Sequence, residues 1–161
     1  MRRAWICASV AALLAPAAIA ARQPEARSPR NASYAIEARL DPAARLIHGR
    51  GRLTWRNPAT VPATELRFHT YWNAWRSPSS SWMREQALGR DPSLARRPEA
   101  DRGFIDVTVL SIAGPDGPRD LLPQAHYIAP DDENAADQTV LAVPLETPIA
   151  PGASVEIDLA W

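Results

Sequence analysis

Three histidines, an acidic run and a serine run are the side chains of this chain whose types could do chemistry. His48, His69 and His126 could ligate a metal or move a proton, but they lie far apart and at alternating or loop positions. They are read as surface or half-buried histidines, because protein ligands for one ion usually come in short, regular spacings. Asp131-Asp132-Glu133-Asn134 carries oxygens but lacks the glycine and the spaced ligands of a calcium loop, and is read as a solvated loop. Ser79-Ser80-Ser81 has no Gly-x-Ser-x-Gly context to make a nucleophile. No glycine-rich loop follows a strand to cradle phosphate. Neither a catalytic residue nor a metal ligand is therefore assigned. What stands out instead is RFHTYWNAWRSPSSSWMRE, residues 67–85, with a Phe, a Tyr and three of the chain's six Trp.

The elements around these rings follow from hydrophobic period. Tyr34, Ile36, Ala38 and Leu40 alternate with polar neighbours, the period of a half-buried strand, and Asp41-Pro42 turns the chain. In RLIHGRGRLTWRN, Ile47, Gly49, Gly51, Leu53 and Trp55 share one face, and His48, Arg50, Arg52, Thr54 and Arg56 the other. The two inward glycines leave room for a large ring from a facing strand, or mark a bulge. A third strand, TELRFHTYW, puts Leu66, Phe68, Thr70 and Trp72 on one face and leaves the sheet at Asn73. The serines then offer a cap to a short helix, SWMREQALGR, with Trp82, Ala87 and Leu88 apolar and Gly89 as its stop. Residues 90–102 form an exposed loop. Strands return at 103–114, 139–145 and 154–161, separated by Pro-Asp-Gly-Pro and Pro151-Gly152 turns. The pattern predicts an all-β, antiparallel β-sandwich with one short helical excursion after the third strand.

Composition sets the frame. A chain of 161 residues with 46% apolar residues supports one folded domain, and 16 Pro against 7 Gly favour short strands and turns. All 18 basic residues are Arg, the bias of a GC-rich bacterial genome. Up to Arg102 there are 17 Arg against 8 acids, and beyond it 1 against 10. That split is read as two halves pairing their charges across a sheet rather than as a basic face, because the Arg residues are scattered singly.

Residues 1–20, with Arg2-Arg3, an apolar run and Ala18-Ile19-Ala20, have the layout of a secretory signal peptide. The run is short and alanine-rich for a membrane span; an uncleaved anchor is the alternative. Residues 21–33 are a polar linker and 34–161 the domain. The expected location is periplasmic or extracellular, with no membrane span beyond the signal segment. Cleavage would remove Cys7, the only cysteine, and with it any disulfide or thiol chemistry.

The rings admit several readings. Exposed aromatics beside His48, Arg50, Arg52 and Tyr71 could stack bases, but Phe68 and Trp72 share the apolar face, and an exported chain seldom meets single-stranded nucleic acid. No nucleic-acid partner is expected. Trp72, Trp75 and Trp82 could stack on sugars, as in a carbohydrate-binding module. The preferred reading places Phe68 and Trp72 in the core, while Trp75, Arg76 and Trp82 pack the excursion or form an interdomain or ligand surface, since aromatics and Arg are favoured in interface cores.

The ordered series YAIEARLD, GRGRLTWRNP, LRFHTYWNAW, GFIDVTVL, DQTVLAVPL and PGASVEI resembles the N-terminal domain of bacterial zinc metallopeptidases of the aminopeptidase N family, the gluzincins, over residues 34–161. The resemblance implies a saddle-shaped β-sandwich docked on a thermolysin-like catalytic domain that removes N-terminal residues from peptides. None of His48, His69 and His126 fits the family's His-Glu-x-x-His zinc helix, and its Gly-x-Met-Glu-Asn loop is absent. No catalytic or metal-binding residue carries over, and zinc is expected only in a catalytic domain missing from this chain, through which the peptide substrate would be met. The last strand alternates up to Trp161, which suggests a packing partner elsewhere and a chain truncated at its C-terminal end. The alternative is a free-standing exported carbohydrate-binding β-sandwich.

Overall fold

The computed structural model describes residues 30–89 and 91–161. The signal segment at 1–20 and most of the 21–33 linker lie outside the described residues.

Among the described residues, eight strands form two antiparallel sheets. The larger contains β1 (Ala32–Asp41), β2 (Leu46–Arg56), β8 (Ser154–Ala160), β4 (Val109–Ile112) and β5 (Arg119–Asp120), in that spatial order. The smaller contains β3 (Ala63–His69), β7 (Val140–Ile149) and β6 (His126–Ile128). The fold is an all-β sandwich, as the alternating segments predict. Between the sheets, Leu53, Leu110, Ile112 and Ile157 of the larger meet Leu66, Leu141, Val143, Leu145 and Ile149 of the smaller, with Leu121 filling the space beside β5. Each inward row comes from one parity of its strand, so a period of two is enough to build this core.

The chain crosses between the sheets beside Asn57. Its buried side chain donates to the carbonyls of Val61 and Ile149, both at 2.9 Å, and accepts from the Ala59 N–H at 2.9 Å. Its carbonyl accepts from Gly152 at 2.9 Å. Gly152 has a positive φ of 74°, in the turn joining β7 to β8, where a side chain would strain the backbone.

Several sequence expectations are corrected. β1 begins at Ala32, inside the expected linker, because Ala32 pairs with Trp55. The third strand stops at His69, and Tyr71–Trp75 coil into a 3₁₀ turn, so Trp72 leaves the core face and is 62% exposed. Phe68 remains packed against the core. Of 103–114, only Val109–Ile112 is paired. The last strand does not lack cover: β8 lies between β2 and β4, and Trp161 finds its packing partner in this chain, over Gly49. That ring comes from the neighbouring strand of the same sheet, not a facing one. β1 is not half-buried either. Tyr34, Ile36 and Leu40 continue the inner face but extend past the small sheet and stand exposed.

The uneven charge resolves into pairs across and beside the strands: Arg52 with Asp158 at 2.8 Å, Arg50 with Glu37, Arg119 with Glu146 and Arg76 with Asp106. Arg52–Asp158, across the sheet, and Arg76–Asp106 join the Arg-rich half to the acidic half, whereas Arg50–Glu37 and Arg119–Glu146 stay within one half, so the expected pairing between halves holds only in part.

Candidate interdomain or ligand surface

The aromatic stretch is held by two buried polar anchors. Thr70, at the end of β3, donates its hydroxyl to the Gln138 carbonyl at 2.7 Å. Asn73, 1% exposed, donates through Nδ2 to the same carbonyl at 3.0 Å, and its Oδ1 accepts from the Ile105 N–H at 2.9 Å. These bonds fix the 3₁₀ turn against β7 and the 103–108 segment. In its last turn, Trp75 packs on Trp72 with centroids 5.5 Å apart.

The helix α1 (Ser81–Ala87) follows, capped by Ser80, whose hydroxyl accepts from the Met83 N–H at 3.3 Å and donates to the Ala74 carbonyl at 2.5 Å. Met83, not Leu88, is the inward residue: it is 2% exposed, and Leu88 is 89% exposed. A helix this short buries only one narrow stripe, and Met83 falls on it. Trp82, half-buried, meets Trp75 with centroids 4.7 Å apart and planes tilted by 47°.

The acidic run is an exposed loop, as expected, and it also clasps the start of the helix. Asp132 accepts from the Ser81 hydroxyl at 2.5 Å, and Asn134 donates to the Ser79 carbonyl at 2.8 Å. The Ser81 hydroxyl foremost, and then the Asn134 N–H donating at 3.1 Å, hold the Asp132 carboxyl below the usual range. Asp137 is nearly buried. Burial pushes its carboxyl up, but hydrogen bonds from the Thr139 hydroxyl and N–H and from the Ser81 N–H together outweigh it, and its pKa lies below the usual value.

Of Trp75, Arg76 and Trp82, the two indoles meet, while Arg76 turns to the 103–108 segment. Arg76 pairs with Asp106 at 2.5 Å and lies over the Phe104 ring at 5.5 Å from its centroid. Phe104 and Asp106 were not legible as site residues, since nothing in their own segment pairs them with Arg76. Beyond them runs an open groove of about 430 Å³ between the β1–β2 turn and residues 102–108, with Trp72, Phe104, Trp161, Arg45 and Arg102 among its walls. The Arg102 Nε there is buried and without a hydrogen-bond partner. Trp75 and Trp82 are tilted against each other, so they do not make a flat platform; Trp72 and Phe104 offer exposed rings beside the groove.

The histidines do not converge. His69 stacks on Tyr71 at 4.9 Å, His126 sits beside the Gln124 carbonyl, and His48 lies exposed on β2. Among the described residues, no three His, Cys, Asp or Glu side chains form a group suited to a metal ion, and no helix is long and apolar enough to cross a membrane. Tyr71 lies at the end of the small sheet, away from Arg50 and Arg52 on the large one, and both of those Arg are ion-paired.

Fold and site together define an all-β sandwich carrying an aromatic and guanidinium surface at one end of its sheets. No protein-family model matches the chain, and neither a curated protein nor a solved structure matches it.

Proposed function

We propose that this chain serves as the non-catalytic N-terminal β-domain of an exported zinc metallopeptidase of the aminopeptidase N type. Peptide hydrolysis belongs to a separate catalytic domain, which would hold the zinc and bind the peptide. The observation that carries this reading is the bare part of the large sheet's inner face. Tyr34, Ile36, Leu40 and Ile47 continue the rows of the core, yet each is at least 55% exposed. Contiguous apolar surface of this kind is characteristically covered by another protein surface. The order of the strand segments that resemble the family supports the same reading, and so do Trp75, Arg76 and Trp82, residue types that interface cores favour.

The test is to read the coding sequence past the Trp161 codon. In-frame continuation into a Gly-x-Met-Glu-Asn segment and then a His-Glu-x-x-His pair is expected; a stop codon, or a continuation lacking both, overturns the proposal. Export is checked by recovering the chain, shortened by its signal segment, from the periplasm or the medium.

One observation favours a second reading, a carbohydrate-binding sandwich: Trp72 stands exposed beside the groove. Titration with oligosaccharides decides it. A saturable shift of tryptophan emission, lost in Trp72→Ala, supports sugar binding, and an unchanged spectrum removes it.

A further inference from the structure

The free edge of the large sheet is self-complementary, and we propose that β1 pairs antiparallel with β1 of a second copy of this chain, with Ala38 on the two-fold axis. Among the described residues, β1 is bonded on one side only, to β2. Its other side leaves backbone N–H and C=O groups for a strand of another chain. The ladder shows which residues present them. The Arg56 N–H donates to the Asn31 carbonyl at 2.8 Å, so Asn31 turns its polar groups toward β2. The direction alternates along an extended strand. Ser33, Ala35, Glu37, Arg39 and Asp41 accordingly bond toward β2, while Tyr34, Ile36, Ala38 and Leu40 direct theirs outward.

A two-fold axis at Ala38 sets Ile36 opposite Leu40 of the second copy, and Leu40 opposite its Ile36. All of these residues have outward groups, so each opposed pair can exchange N–H···O bonds both ways. Side-chain parity is preserved as well. Ile36 and Leu40, 55% and 63% exposed in the single chain, extend the inner apolar face across the axis. On the outer face, Glu37 of each copy stands opposite Arg39 of the other, a favourable cross-strand pair.

Charge and length of overlap select this register: an axis at Leu40 would also oppose Arg39 to Asp41, but β1 ends at Asp41, so the strands would overlap only over 39–41. Arg39 takes part in none of the ion pairs among the described residues, whereas Glu37 holds Arg50 of its own chain at 2.5 Å. The two-chain sheet would thus set Glu37 between two guanidinium groups. Moving the axis to Glu37 or to Arg39 brings like charges face to face. Moving it to Ile36 sets Glu37 against Ala35 and Arg39 against Ser33, which leaves both charges without a cross-strand partner. The pairing uses the edge of the sheet and leaves its inner face open, so it stands independently of the proposed function.

The experiment is light scattering with sedimentation on the full chain and on Glu37→Arg and Arg39→Glu. The wild-type chain is expected to dimerise. Each variant alone sets like charges opposite each other twice, and its dimer is expected to weaken about tenfold or more, with an unchanged far-ultraviolet circular dichroism spectrum. An equimolar mixture of the two variants restores opposite charges at both positions and is expected to recover a mixed dimer. A wild-type chain that stays monomeric, folded variants that dimerise as tightly as wild type, or a mixture that fails to associate overturns the proposal.

Discussion

The indole of Trp161 lies over Gly49, and the two residues exchange backbone hydrogen bonds in both directions at 2.9 Å. The glycine gives the ring a seat within the sheet, because a Cβ there would overlap the indole. Gly49→Ala must displace the ring or bend the strand. The expected cost is about 1–3 kcal/mol, measured as a lower urea midpoint, with tryptophan emission shifted to longer wavelength. Gly89→Ala is the control: nothing lies within 4 Å of the added carbon, and stability should change by less than about 0.5 kcal/mol.

Met83 anchors the helical excursion. Met83→Ala removes a side chain that is 2% exposed and should destabilise the protein by about 2–5 kcal/mol. Leu88→Ala, at an exposed position of the same segment, should be nearly neutral in the same urea titration. Equal losses from both would show that the helix packs by a different face.

Asn73→Ala tests the polar anchor. The substitution leaves the Ile105 N–H without its acceptor and removes the donor to Gln138. An orphaned buried group costs about 1–3 kcal/mol, read from chemical denaturation. Hydrogen exchange at the Ile105 amide should quicken more than the global loss of stability requires, because its acceptor is gone.

Acid should loosen the clasp around Asp137. The folded carboxyl has a lower pKa than the unfolded one, so the folded state binds fewer protons and gains stability from this group above the unfolded value of about 3.9. That stability is lost as pH falls through the folded pKa. Asp132 and Asp158, also lowered, act in the same direction. Wild-type stability should therefore decline below about pH 4, and Asp137→Asn should show a shallower decline in denaturation midpoints measured across that range.

The alternation of Leu53 and Ile157 with polar neighbours was sufficient to predict half-buried strands, and the apolar run at 140–143 a strand buried on both faces, since a period of two fixes which side chains face inward whatever the partner strand is. The serine cap and the Pro151-Gly152 turn were legible for the same local reason: each depends on residues only a few positions apart. Local period could not say how far one sheet overlaps another. The large sheet outruns the small one, which left Tyr34, Ile36 and Leu40 bare although their pattern matches that of the core. Trp72 followed the strand's parity in sequence, but Thr70 and Asn73, bonded to Gln138 more than sixty residues away, coil the chain and turn the ring outward. Trp75, Arg76 and Trp82 were recognisable as candidates because they are close in sequence, while Phe104 and Asp106 joined Arg76 only through folding. The sequence by itself thus determined strand period, turns and caps, which are short-range. The tertiary structure decided which apolar rows are covered, which ring seats on Gly49 and which carboxylates hold the helix start, because those depend on contacts between residues distant in the chain.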